Sequence, residues 1–121
     1  MVKELTDSNY ADFIVATDDV VLIDFYSALC GPCQELMPHM EAMAAHYADK
    51  PVTIARVDVT QNPKLAQKYM VNSVPLVCLV DREKKIVFAE MGAKDRSVYV
   101  SQIEKLIGVK KSFLSWFLSE R

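Results

Sequence analysis

The chain has 121 residues, 51% of them hydrophobic, and a formal net charge of −2. That suits one domain with a sufficient apolar core and no need of disulfide staples. It lacks the basic block of a nucleic-acid binder and the run of about 18 apolar residues that a membrane span needs.

The opening stretch, MVKELTDSNY, has no apolar signal core, so a cytoplasmic location is the expectation. Three cysteines, an odd number, fit poorly with a secreted disulfide framework. A short first strand is expected near VKEL. LTDSNYADFIVAT reads as a short helix, with Thr6, Asp7 and Ser8 as capping candidates ahead of Tyr10, Phe13 and Ile14. VVLIDFY, residues 20–26, is apolar and rich in β-branched residues, the pattern of a strand buried on both faces. CQELMPHMEAMAAHYADK places Leu36, Met37, Met40, Met43, Ala44 and Tyr47 near helical spacing, with a kink expected at Pro38. His39 and His46 read as solvent-facing on that helix, and its methionines as core filling.

VTIARVDV, residues 52–59, reads as a strand. NPKLAQKYM is a short helix capped by Asn62, with Pro63 in its first position. VPLVCLV and KKIVFAE are strands joined through DREK as an antiparallel hairpin. Cys78 reads as a small core residue, with a regulatory thiol as the lesser alternative. DRSVYVSQIEKLI forms a final helix, offering Val98, Ile103, Leu106 and Ile107 to the core and stopping at Gly108. Helices alternating with buried strands make an α/β domain of three layers around a central mixed sheet. Residues 1–108 form this domain and 109–121 an amphipathic extension. Phe113, Leu114, Trp116, Phe117 and Leu118 make that extension too apolar for a free tail. Packing on the domain is the simplest use for it; a dimer contact or a membrane-surface helix is the alternative.

Chemistry concentrates at Cys30-Gly31-Pro32-Cys33, between a strand and a helix. Zinc is not expected, because a structural site wants four ligands and no second close pair exists. A helix start has unpaired N–H groups and the positive end of the dipole, so a thiolate at Cys30 is stabilised there. Cys33 lies one turn deeper on the same face, within reach for a disulfide. Gly31 lets a partner's backbone approach, and Pro32 stiffens the first turn. Asp24 sits among apolar residues, where an ionised carboxylate is costly without a partner or a task. Burial would raise its pKa toward that of a general acid/base for Cys33.

VLIDFYSALCGPCQELMP resembles the active-site strand and helix of the thioredoxin family, whose motif is a general marker of redox C-x-x-C chemistry. VDVTQNPKLAQKYMVNSVP and FAEMGAKDRSVYVSQIEKLI resemble later segments of the same family, so the likeness spans nearly the whole chain. It implies a thioredoxin fold and protein-disulfide reduction, with Cys30 attacking, Cys33 resolving and Asp24 beneath the resolving thiol. It further implies that Pro75 is a cis-proline, that Val74 offers backbone groups to an extended substrate, and that Gly92 completes the groove beside Leu29, Gly31 and Pro32. The redox group is then the dithiol alone. Disulfide-containing proteins are its targets, and a separate thioredoxin reductase recharges it from NADPH. Arg56 falls where the family has a buried lysine: it either reaches Asp24 and holds it charged, or extends to solvent. Leu29 and Tyr26 stand where tryptophans are usual, and Gln34 replaces a basic residue, which leaves the potential and the partners open. A redox-sensing or interaction module docking a partner through residues 109–121 is the alternative function.

Overall fold

A computed structural model describes residues 1–108. The expectations for residues 109–121 lie outside the described residues.

The elements follow in the order β1 (Lys3–Glu4), α1 (Tyr10–Ala16), β2 (Val20–Tyr26), α2 (Gly31–His46), β3 (Val52–Asp58), α3 (Pro63–Lys68), β4 (Leu76–Val80), β5 (Ile86–Met91) and α4 (Arg96–Ile107). The five strands form one sheet ordered β1-β3-β2-β4-β5. β3 runs parallel to both β1 and β2, whereas β4 is antiparallel to β2 and β5 to β4. Central β2 is buried from Val20 to Phe25, Asp24 included, as a strand covered on both faces requires. One face of the sheet, through Val20, Leu22, Ile54 and Leu79, packs on Leu36, Met40 and Met43 of α2 and Tyr99 and Ile103 of α4. The other, through Val21, Ile23 and Phe25, packs with Ile14 of α1 and Leu65 of α3. The result is the expected three-layer α/β architecture.

Local details differ from the sequence expectations where a distant residue intervenes. Asn62 precedes α3 but makes no side-chain cap. Its Oδ1 instead accepts the Asp7 N–H at 2.8 Å, and the Asp7 carboxylate accepts the N–H groups of Lys64 at 3.1 Å and Leu65 at 2.9 Å. Asp7 therefore caps α3 rather than its own neighbouring helix. The residue before α1 is Asn9, also without a side-chain cap. Asn9 Oδ1 accepts the Thr6 N–H at 2.8 Å while Thr6 Oγ1 accepts the Asn9 N–H at 3.2 Å, closing the preceding turn. In α4 the buried residues are Tyr99 and Ile103, whereas Val98, Leu106 and Ile107 are only partly covered. Asp95 caps this helix through Ser97 N–H at 3.0 Å, and Gly108 ends it at φ 68°.

Candidate active site

Cys30 is the N-cap of α2, in extended conformation, and Cys33 stands in the first turn. The two are disulfide-bonded, with their Cα atoms 5.2 Å apart. The Cys33 backbone N–H donates to Cys30 Sγ at 3.2 Å. That contact places one of the helix's unpaired donors on the sulfur, so the local field favours negative charge there. No acidic residue occupies the first turn to oppose it. Cys30 is half-buried, whereas Cys33 is 2% exposed. An incoming disulfide can therefore reach the first sulfur and not the second.

Two other loops border Cys30. The Val74–Pro75 peptide bond is cis, and the Val74 carbonyl oxygen lies 3.8 Å from Cys30 Sγ. Gly92 donates its N–H to the Pro75 carbonyl at 2.9 Å and has φ 84°, a left-handed conformation that favours glycine. Leu29 is 99% exposed, and Gly31 and Pro32 are exposed as well. Met91 adds an exposed apolar side chain whose Sδ accepts from Ser73 Oγ at 3.1 Å. Sequence reasoning passed over Met91 and Ser73; their only sequence signal is adjacency to Gly92 and Val74.

Asp24 is completely buried, and neither carboxylate oxygen has a hydrogen-bond partner. Burial pushes its pKa up to about 7, against a smaller opposing pull from Arg56. Arg56 resolves into neither sequence alternative. It remains partly buried, yet its Nε donates to Glu4 Oε1 at 2.6 Å rather than to Asp24. Its guanidinium carbon lies 5.5 Å from the Tyr26 ring centre. Tyr26, Arg56, Met37, Gln34 and Cys33 line a pocket of about 120 Å³.

His39 departs from the expected solvent-facing position: it is partly buried, and its Nδ1 is enclosed without a partner. His46 is exposed. Cys78 is a free buried thiol, 2% exposed, and burial pushes its pKa up to about 11. Met40 and Met43 are core, while Met37 is half-buried at the pocket. Among the described residues no cluster of side chains has metal-ligand geometry, and no helix is long and apolar enough to cross a membrane.

Comparison with known proteins converges on one family. Residues 1–105 match the family model described as Thioredoxin. The chain is 38% identical over 105 residues to a thioredoxin of Chlamydia trachomatis, spanning 87% of this chain and 98% of that one. A thioredoxin of Chlorobaculum thiosulfatiphilum is 34% identical over 105 residues, spanning 87% and 95%. The fold superposes with a TM-score of 0.75 and 31% identity on a mutant thioredoxin from Halobacterium salinarum NRC-1, covering 87% of this chain and 89% of that one.

Proposed function

The chain belongs to the thioredoxin family, and on that premise we propose how its residues share the work. The protein is a thiol–disulfide oxidoreductase of the protein-disulfide reductase type, and its redox group is its own Cys30–Cys33 pair. In the reduced protein, Cys30 as thiolate attacks one sulfur of a target disulfide. A Cys30–target bond forms as the target's S–S bond breaks, and its other sulfur leaves as a thiolate. Asp24, as a carboxylate, then accepts the Cys33 proton. The Cys33 sulfur attacks Cys30, the mixed disulfide breaks, and the target's second sulfur departs. Two electrons have passed to the target, and two protons complete its thiols.

Val74, Pro75 and Gly92 line the approach to Cys30, and Leu29, Gly31 and Pro32 supply its exposed rim. In this reading they hold an extended target segment across the sulfur. Disulfide-containing proteins are the targets, and a thioredoxin reductase drawing on NADPH returns the two electrons. The setting is the reducing cytoplasm, which suits an odd cysteine count and a free Cys78.

The single observation that carries this reading is the asymmetry of the pair: Cys30 accessible at a helix tip, Cys33 buried one turn below. Reduction of insulin with dithiothreitol tests it. The parent protein accelerates the reaction and Cys30→Ser does not, while Cys33→Ser accumulates a stable mixed disulfide. Equal rates for the parent and Cys30→Ser would refute it.

A further inference from the structure

The strand registers set Glu4, Arg56, Asp24, Val77 and Glu90 in one row across all five strands. Register partners project on the same face of a sheet, and here Val77 shows that face to be the one covered by α2 and α4. Arg56 is therefore the adjacent-strand neighbour of a buried carboxyl that has no hydrogen-bond partner. Attraction between opposite charges favours joining the two, and a bidentate guanidinium is well suited to the task. They are nevertheless apart. Arg56 Nε donates to Glu4 Oε1 at 2.6 Å, and its second nitrogen contacts Met37 Sδ at 3.5 Å. The Tyr26 hydroxyl donates to Glu4 Oε2 at 3.1 Å, so both oxygens of Glu4 are engaged.

We propose that Glu4 is a positioning residue that draws Arg56 toward the sheet edge, leaving Asp24 unpaired and able to accept a proton. The proposal rests on the reading of Asp24 as the proton acceptor for Cys33. A carboxylate joined to an arginine is held charged and becomes a poor base, because the proton must displace the pairing. Other titratable groups face Asp24 from the surrounding elements. Tyr99 of α4 is electrostatically coupled to it. Tyr26 of β2 and Glu90 of β5 stand on the same sheet face, Glu90 paired with Lys94 at 3.9 Å, while Glu41 of α2 acts on the Arg56 guanidinium itself. Among the described residues, Arg56 is the cation whose charge acts on Asp24, so its direction decides the pairing. Removing Glu4 frees the guanidinium to turn inward.

The test follows the Asp24 carboxyl by carbon-13 NMR in the reduced protein across pH, in the parent, Glu4→Gln, Arg56→Gln and the double variant. Glu4 is an exposed edge residue, so Glu4→Gln is expected to fold. The Asp24 midpoint should fall by about 1 to 3 pH units in Glu4→Gln, as for an aspartate newly beside an arginine. With Arg56 already replaced, the further change Glu4→Gln should leave the midpoint almost unmoved. An unshifted midpoint in Glu4→Gln overturns the proposal. So does an equal fall with and without Arg56, which would mean that Glu4 acts through its own charge. Insulin reduction by Asp24→Asn separates the underlying reading: an unchanged pH profile there removes Asp24 as the base, whatever the Glu4 variants show.

Discussion

At the scale of single residues, Asp24 carries the most consequence. Its buried carboxyl keeps a proton in the folded chain up to about pH 7, whereas the unfolded chain releases it near 3.8. Between those values the native state binds more protons than the unfolded state, so stability falls as pH rises. It levels off above about 7, having lost roughly 4 kcal/mol through this group. Asp24→Asn should therefore remove that decline, visible as urea midpoints that drop between pH 4 and 8 in the parent and much less in the variant. With Asp24 as the proposed base, catalysis runs the opposite way, because a base must be unprotonated. Resolution of the mixed disulfide should speed up with pH through about 7 in the parent. In Asp24→Asn it should lose that limb and slow by about 100-fold, the lower range of general-base contributions. Stopped-flow measurement of target release reads both. Asp24's burial was legible because Val20–Tyr26 is apolar on either side of it. The direction of Arg56 was not, since its partner Glu4 stands 52 residues away in the chain and is brought near only by β1–β3 pairing.

At the scale of elements, helix ends decide what the chain can do. The start of α2 aims the Cys33 N–H at Cys30 Sγ, and the Gly-Pro pair within that turn marked the helix start in the sequence. The start of α3 shows the limit of local reading. Asn62 stands where a cap belongs, yet it is spent on the Asp7 backbone, and Asp7 supplies the cap from 58 residues away from Leu65. No local pattern contains that exchange. Asp7→Ala should cost about 1 to 2 kcal/mol, the ordinary loss for an N-cap. In urea the midpoint should drop with little change in slope, and insulin reduction at 25 °C should be unaffected. Tyr99 in α4 is a similar case: helical spacing marked aliphatic neighbours, but the large ring takes the buried position.

At the scale of the whole molecule, the sheet assembles the active site from distant segments. β2 ends beside the Cys30 loop. Antiparallel β4 begins opposite it, with Phe25 facing Leu76, so the Val74–Pro75 bond arrives next to Cys30. β5 ends opposite the same Leu76, which brings Met91 and Gly92 to the rim. The strands and the C-x-x-C motif were readable one by one; this convergence depends on pairing order and was implied only by family resemblance. On the proposed mechanism the decisive asymmetry lies between Cys30, at the tip of α2 where the helix field favours a thiolate, and Cys33, buried one turn below. The most direct check is the pH dependence of iodoacetamide alkylation of the reduced protein, with the modified residue identified by mass. Cys30 should be labelled first, with a midpoint clearly below the value of about 8.5 for free cysteine, while Cys33 and Cys78 react slowly. A midpoint at or above that of free cysteine, with Cys30 and Cys33 labelled alike, would contradict it.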